Sequence, residues 1–227
     1  MRPARLEDQG MITWLAPDDP PDRFPAPEGA LREPAGLLAA GGDLRPERLI
    51  AAYERGIFPW YSPGQPVLWW SPDPREVLWP REFRRSRSLE RAIRRRGFEF
   101  HADRDFAGVL HACAAPRSRS PGTWITPEMH AAYCALAQRG LAHSYEIWRG
   151  NELLGGLYGV SLRRVFFGES MFSREADASK AALAGLVERC GALEIDLIDC
   201  QLPSAHLRSL GSRPMPRREF LDMLRRP

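Results

Sequence analysis

The chain has 227 residues, of which 44% are hydrophobic and 27% are charged, as is typical of a globular protein with a buried core. No apolar run approaches the roughly 20 residues of a membrane span, and the N-terminal stretch "MRPARLEDQGMITWL" lacks the pattern of a secretory signal. We therefore expect a cytoplasmic protein with no membrane partner. The four cysteines and five histidines lack the spacing of a disulfide framework or a metal site, so neither is expected.

Arginine supplies nearly all of the positive charge, although the net charge is only +3. Eight arginines fall within the stretch "REFRRSRSLERAIRRRG", residues 81 to 97. A guanidinium group matches phosphate oxygens with two parallel hydrogen bonds, so a polyanion is one possible partner of this stretch. A solvated helix face is the alternative, and charge alone does not decide between the two.

Residues 1–75 are rich in Pro and Gly and predict a small N-terminal α/β domain. Within it, "RPERLIAAYERG" predicts a helix with Pro46 in its first turn and Gly56 at its end. Aromatic side chains then crowd among prolines at Trp60, Tyr61, Trp69 and Trp70. The prolines argue against a long helix or a central strand there. We expect the aromatic side chains either to pack in a core or to bind a ligand.

Residues 76–227 predict a larger domain, a mixed sheet with helices on its faces. Two acidic or hydroxyl side chains precede apolar helical patterns and predict N-caps, namely Asp103 and Thr126. The Thr126 helix is the more strongly marked, because Pro127 follows the cap and Gly140 closes the pattern. A last helix is expected to start at Pro216.

An antiparallel meander is predicted from "AHSYEIWRGNELLGGLYGVSLRRVFFGESMF", with turns at Gly150-Asn151 and near Ser161. A helix from about Ala178 to Cys190 then leads to the strand "EIDLIDCQ". A strand, helix, strand succession of this kind predicts two neighbouring parallel strands. Glu169 and Asp199 would then lie at the carboxyl ends of those strands, where ligands commonly bind.

Glu169 follows the apolar run "VFF" and has two interpretations, an exposed strand end or a charge that faces a cavity. The strand, helix, strand succession favours the second, because it places Glu169 where ligands commonly bind. Asp199 and Gln201 are two residues apart, so in a regular strand both leave one face while Ile198 and Cys200 leave the other. A carboxylate beside an amide suits acid–base or orienting work. The alternative for Asp199 is a cap of the next helix, although Ser204 suits that position better.

Common cofactor signatures are missing from the sequence. Neither the G-x-x-x-x-G-K-[ST] phosphate loop nor the G-x-G-x-x-G dinucleotide fingerprint occurs, and "GES" is not a G-x-S-x-G nucleophile motif. We therefore expect no nucleotide, metal or flavin cofactor.

Several long stretches resemble the leucyl/phenylalanyl-tRNA–protein transferases. They include "GLLAAGGDLRPERLIAAYERGIFPWYSPGQPVLWWSPDPREVL", "TWITPEMHAAY", "FFGESMFS" and "LIDCQ…HLRSLG", and the resemblance runs in order from about residue 12 to residue 224. It implies a two-domain enzyme whose larger domain is similar to the GNAT acetyltransferase fold. Such an enzyme moves Leu or Phe, and Met less well, from leucyl-tRNA or phenylalanyl-tRNA to proteins that begin with Arg or Lys, marking them for degradation. We expect a monomer.

The resemblance also implies roles for individual residues. Asp199 and Gln201 become the catalytic pair, with Glu169 in the same site. The pocket for the aminoacyl side chain falls on Leu157, Phe166, Leu183, Leu186 and Ile198. The aromatic residues that hold the terminal adenosine are Trp60 and Trp124. The basic tRNA surface falls on Arg87, Arg91, Arg94 and Arg95. Two departures from the family pattern are Leu157, where some members have Met, and the run Leu202, Pro203, Ser204 after "DCQ".

The chemistry implied is attack of an α-amine on an activated ester, which requires no ATP. Our hypothesis is that Asp199 accepts a hydrogen bond from the amine while Gln201 fixes that carboxylate, and that Glu169 and Asp199 form an acidic pocket for the acceptor. One rival is an acetyl-CoA-dependent N-acetyltransferase, but "MFSREADASKAAL" lacks the glycines of a pyrophosphate loop. The other rival, a non-catalytic tRNA-binding protein, leaves the acidic and amide residues unexplained.

Overall fold

The computed structural model describes residues 12–115 and 125–226. The strands in this part of the chain are β1 (Thr13–Leu15), β2 (Leu37–Gly41), β3 (Phe58–Pro59), β4 (Leu68–Trp70), β5 (Arg75–Leu78), β6 (Glu99–Ala102), β7 (Ala142–Arg149), β8 (Glu152–Leu162), β9 (Val165–Ser173), β10 (Leu197–Gln201) and β11 (Arg213–Met215). The helices are α1 (Pro46–Tyr53), α2 (Arg87–Arg95), α3 (Phe106–Ala114), α4 (Pro127–Gln138), α5 (Ala178–Arg189), α6 (Ala205–Ser209) and α7 (Arg217–Leu224). No helix in the described ranges is both long and apolar enough to cross a membrane.

The smaller sheet has the strand order β1-β2-β4-β3. The expectation that prolines exclude a central strand here is wrong, because β4 lies between two neighbours. It holds only three residues and fits between Pro66 and Pro72, so no proline interrupts its hydrogen bonds. Pro59 lies in β3, at the edge of the sheet, where the missing N–H removes no ladder bond.

The larger sheet has the strand order β11-β5-β10-β9-β8-β7-β6. The antiparallel meander of β7, β8 and β9 is confirmed, with its first turn at Gly150-Asn151 and its second at residues 163–164. The parallel pairing of β9 with β10 across α5 is also confirmed. The fold class is therefore the predicted mixed sheet flanked by helices.

Two of the predicted helix starts have different outcomes. Thr126 caps α4 as predicted, since its hydroxyl accepts a hydrogen bond from the Met129 backbone N–H. Asp103 does not cap α3, because Asp105 occupies that position and accepts from the Gly108 N–H at 2.9 Å. Asp103 instead has a left-handed φ of 54° and binds the Ser144 N–H, which attaches this turn to β7.

The hydrophobic core crosses from one sheet to the other. One continuous cluster contains Trp69 of β4, Tyr53 of α1, Phe167 of β9 and Leu221 of α7. The chain also comes very close at Gly56, whose φ is 69° and where a Cβ would lie 2.7 Å from the Leu221 side chain. The division into domains at residues 1–75 and 76–227 stays a prediction.

Candidate active site

Strands β9 and β10 separate at the centre of the larger sheet. Their parallel pairing ends at Phe167 and Asp199. Two residues beyond Phe167, Glu169 is an extra residue in β9, because Tyr158 pairs with Ser170 and the next residue of β8 pairs with Gly168. The prediction that Glu169 lies at the end of its strand is therefore wrong, since β9 continues to Ser173. A bulge re-aims the side chain that it carries, and bulges of this kind are frequent beside active sites.

Strand β10 is also irregular where the candidate residues lie. Cys200 is an extra residue relative to β5, and Gln201 has a left-handed φ of 55°. Ile198, Asp199, Cys200 and Gln201 all line one cavity. The expected alternation nevertheless holds, because Ile198 and Cys200 pack in the cluster that contains α5, whereas Asp199 binds Arg75 and the Gln201 amide faces Glu169.

A cavity of about 520 Å³ opens between β9, β10 and α5, and we call it the apolar cavity. All five residues predicted to hold an aminoacyl side chain line it, and each is buried: Leu157, Phe166, Leu183, Leu186 and Ile198. Glu169, Asp199 and Gln201 line it as well. The structure thus brings together two groups of residues that the sequence analysis predicted separately, and their roles stay predictions.

Ser204 borders the same cavity just before α6. Its hydroxyl accepts a hydrogen bond from the Leu207 backbone N–H at 3.1 Å, so the predicted capping role is confirmed. The departure from the family pattern at this position therefore supplies a helix cap at the edge of the site.

A smaller cavity of about 190 Å³ adjoins the first, and we call it the aromatic cavity. It is lined by Phe58, Pro59, Trp60, Glu169, Cys200, Gln201 and Leu202. Trp60 is 41% exposed, and its ring centroid lies 5.6 Å from that of Trp70. The two cavities share Glu169, Cys200 and Gln201, so these residues form the boundary between them. Trp124, the other predicted adenosine contact, lies outside the described residues.

Asp199 is held by Arg75, a residue that was not predicted as part of the site. Both side chains are fully buried, and the guanidinium donates to both carboxylate oxygens at 2.8 and 2.7 Å. The Gln201 backbone N–H donates to Asp199 at 2.9 Å. Arg75 lies between the rings of Phe58 and Phe220, each 4.8 Å from the guanidinium carbon. The Asp199 carboxylate is consequently fixed, and Gln201 contributes to this through its backbone.

Glu169 is held differently, by two tyrosine hydroxyls. Tyr53 donates to Oε1 at 2.7 Å and Tyr133 donates to Oε2 at 2.9 Å, while the Gln201 amide lies 3.4 Å from Oε1. Burial raises the pKa of Glu169 to about 7, and the hydrogen bonds from the two tyrosines act in the opposite direction. Burial also raises the pKa values of Tyr53 and Tyr133 well above their ordinary range, so both hydroxyls keep their protons.

The predicted tRNA-binding arginines lie on α2, which begins at the N-cap Ser86 and packs against α5. All four are exposed, and within the described residues none has an ion-pair partner: Arg87, Arg91, Arg94 and Arg95. The neighbouring Arg85 and Arg96 do pair, with Glu188 and Glu175. The four unpaired arginines therefore present positive charge to solvent. In the described part of the chain, no group of three or more His, Cys, Asp or Glu side chains is arranged to hold a metal ion.

Comparison with known proteins adds to this geometry. Residues 77–225 match the family model described as leucyl/phenylalanyl-tRNA protein transferase. Residues 42–73 match the model of that protein's N-terminal domain. These matches place the chain among the transferases. The chain belongs to the leucyl/phenylalanyl-tRNA protein transferase family.

Individual relatives agree with the family models. The chain is 56% identical to the leucyl/phenylalanyl-tRNA–protein transferase of Pseudomonas entomophila (strain L48), over 95% of each chain. It is 58% identical to the protein of the same name from Azotobacter vinelandii (strain DJ), over 94% of each chain.

Solved structures are more distant. A GCN5-related N-acetyltransferase from Kribbella flavida matches with a TM-score of 0.40 and 11% identity, over 74% of this chain and 60% of that one. The structure of L-PGS from Bacillus licheniformis matches with a TM-score of 0.41 and 11% identity, over 74% of this chain and 56% of that one.

Proposed function

We propose that the chain transfers Leu or Phe, and Met less well, from aminoacyl-tRNA to the α-amine of proteins that begin with Arg or Lys. The observation that carries this proposal is the meeting of the two cavities at Glu169 and Gln201, in a chain of this family. The apolar cavity takes the aminoacyl side chain and the aromatic cavity takes the terminal adenosine. The ester that joins these two groups then lies at the boundary, beside Glu169 and Gln201.

The walls of the apolar cavity support the choice of amino acid. Its lining from Leu157, Leu183 and Ile198 offers no charge to the end of a side chain, which suits Leu and Phe. An apolar pocket distinguishes similar apolar side chains by only about 1–3 kcal/mol, so some transfer of Met is expected.

The exposed aromatic and basic groups support a tRNA donor. A nucleobase that stacks on Trp60 gains about 1–3 kcal/mol, which holds the terminal adenosine in the aromatic cavity. The unpaired arginines of α2 provide contacts for the phosphates of the tRNA body. Because affinity from such contacts is electrostatic, it depends on salt.

The reaction itself requires little from the protein besides position. An α-amine has a pKa near 8, so about a tenth of it is already unprotonated at neutral pH. Holding the amine against an activated ester supplies roughly 7–11 kcal/mol of the barrier. The cationic end of the acceptor, Arg or Lys, is matched by the half-buried Glu169.

The alternative activity, acetyl-CoA-dependent N-acetyl transfer, is also disfavoured by the start of α5. The N-cap of this helix is Asp177, whose carboxylate binds the Lys180 ammonium at 2.9 Å. A pyrophosphate at a helix N-terminus needs free backbone N–H groups and positive potential. A carboxylate at that position disfavours the pyrophosphate of coenzyme A.

The test is transfer of labelled Leu from charged tRNA to peptides that begin with Arg or with Ala. We expect transfer to the Arg peptide alone. Trp60→Ala is expected to lower kcat/KM for charged tRNA by roughly 5- to 150-fold, the equivalent of one lost stacking contact. The matched control is Trp14→Ala, because Trp14 is also an exposed tryptophan of the smaller sheet and does not line the aromatic cavity. Absence of transfer to the Arg peptide would contradict the proposal.

The proposal extends to the setting of the reaction. We place the enzyme in the cytoplasm as a monomer, with leucyl-tRNA and phenylalanyl-tRNA as donors. Its products carry a new N-terminal Leu or Phe and enter protein degradation. Family membership supports the choice of donors and the fate of the products.

A further inference from the structure

The two carboxylates of the site differ in what can reach them. Asp199 is fully buried, and Arg75 together with the Gln201 backbone occupies both of its oxygens. Glu169 is only partly buried and lines both the apolar and the aromatic cavity. An amine that attacks an ester at the boundary of the cavities therefore meets the partly exposed Glu169, whereas the Asp199 carboxylate is fully buried and paired with a buried guanidinium.

The oxygens around Glu169 form a closed ring. Oε1 of Glu169 lies 2.7 Å from the Tyr53 hydroxyl, and that hydroxyl lies 2.5 Å from the Tyr133 hydroxyl. The ring closes where the Tyr133 hydroxyl lies 2.9 Å from Oε2 of Glu169. Each contact of this length requires one proton between its two oxygens. The two tyrosines supply two protons. When both are donated to an ionised Glu169, the contact between the two hydroxyls holds none, and a proton taken up by Glu169 supplies the third.

We propose that Glu169, held by Tyr53 and Tyr133, is the group that accepts the proton of the attacking amine. In this arrangement Asp199 and Arg75 form a fixed positioning pair, which holds the backbone of Gln201 and thus the boundary of the two cavities. The inference rests on the proposed aminoacyl transfer and assigns a proton acceptor to it.

The step balances in atoms and charge. The amine nitrogen attacks the ester carbonyl carbon, the new N–C bond forms, and the C–O bond to the ribose oxygen breaks. The nitrogen loses a proton to the Glu169 carboxylate. The departing ribose oxygen takes up one proton from Glu169 and leaves as a hydroxyl. Glu169 returns to its starting state, and the products are an amide and an uncharged ribose hydroxyl.

The electrostatics of the site agree with this role. Groups facing Glu169 come from α1 (Tyr53), α4 (Tyr133), β8 (Tyr158), β10 (Asp199) and β5 (Arg75). Burial and the Asp199 charge raise the pKa of Glu169, while the tyrosine hydrogen bonds and Arg75 lower it, with the result near 7. A base whose pKa lies near the working pH is both unprotonated and effective.

Glu169→Gln is the first variant to test, with peptide and charged tRNA both varied. We expect kcat to fall about 10²- to 10⁴-fold, the usual loss for a general base, with KM for charged tRNA unchanged. The conservative variant Glu169→Asp should recover part of kcat. The matched control Glu152→Gln removes an exposed carboxylate of β8 and should leave kcat unchanged. If Glu169→Gln raises only KM for the peptide and keeps the wild-type kcat, Glu169 merely holds the acceptor and the inference is wrong.

A pH profile gives a readout that a purely structural role would not move. We expect kcat of the wild-type protein to rise with pH through an inflection near 7. In Tyr133→Phe the inflection should move to higher pH, because a hydrogen bond that favours the charged carboxylate is lost. An inflection unchanged in Tyr133→Phe belongs to the substrate amine and overturns the inference. Absence of transfer by the wild-type protein would instead overturn the proposed function itself, so the two failures are distinguishable.

Discussion

Asp199 and Glu169 lie on neighbouring strands and line one cavity, yet their surroundings differ in kind. Asp199 faces a guanidinium, which donates to both of its oxygens and is buried with it. Glu169 faces two neutral hydroxyls, whose hydrogen bonds lower its pKa while burial raises it to about 7. The first arrangement fixes a charge in place, and the second allows the charge to change. A site that must both hold its shape and move a proton has a use for each.

Removal of Arg75 should have the largest effect on stability. Arg75→Met leaves the buried Asp199 carboxylate without a counter-charge, and loss of one partner of a buried ion pair costs about 3–5 kcal/mol. Urea unfolding of the variant and the wild type measures this difference. Arg213→Met is the matched control, because the Arg213–Glu82 pair is exposed and should contribute nothing measurable. Equal stability of the two variants would contradict the description of Asp199 as a fixed, buried charge.

The pH dependence of stability should identify Glu169 as the carboxylate whose charge changes. Its folded-state pKa, about 7, is above the ordinary value of 4.5, so folding takes up a proton between these two pH values. Stability is then highest below about pH 4.5 with respect to this group and falls as pH rises to about 7, with a slope of up to about 1.4 kcal/mol per pH unit. Urea unfolding as a function of pH measures the slope. In Glu169→Gln this contribution should be absent, and an identical slope in both proteins would contradict it.

Removal of one hydroxyl of the ring should cost less. Tyr133→Phe removes one hydrogen bond to Glu169 without opening a large cavity, so we expect a loss of about 1 kcal/mol in the free energy of unfolding. This loss of stability is smaller than in Arg75→Met because Glu169 keeps its hydrogen bond from Tyr53, whereas Asp199 loses the guanidinium that is paired with it. Calorimetry of the two variants at pH 6 provides the measurement. A larger loss in Tyr133→Phe than in Arg75→Met would reverse the comparison.

The exposed arginines of α2 should affect stability least. Replacement of Arg87, Arg91, Arg94 and Arg95 by Gln removes charges that have no ion-pair partner among the described residues, so stability should change by no more than about 0.5 kcal/mol. The affinity for charged tRNA should fall, and its dependence on salt should become less steep. Filter binding at several salt concentrations measures both. Unchanged affinity and salt dependence would show that the tRNA binds elsewhere.

Local signals in the sequence predicted much of the fold. Thr126 and Pro127 mark the start of α4, and the turn at Gly150-Asn151 marks the hairpin of β7 and β8. The sequence does not distinguish Asp103 from Asp105 as the cap of α3, because the two side chains are chemically identical and only the backbone conformation differs.

The partners in the site could not be predicted in the same way. Arg75 is 124 residues from Asp199, and Tyr53 is 116 residues from Glu169, so no local spacing connects them. The alternation of side chains along a strand also does not predict the bulges at Glu169 and Cys200. A buried arginine needs a buried partner, but the short strand Arg75–Leu78 shows neither that Arg75 is buried nor which carboxylate binds it.

Direct titration of Glu169 tests the central claim that its charge changes while Asp199 and Arg75 remain a fixed pair. Infrared difference spectroscopy between pH 5 and pH 9, on the wild-type protein and Glu169→Gln, follows the band of a protonated carboxyl group. We predict that the wild-type protein loses one such band near pH 7 and that Glu169→Gln shows no corresponding change. A wild-type protein with no carboxyl band that titrates above pH 6 would contradict the assignment of Glu169 as the proton acceptor.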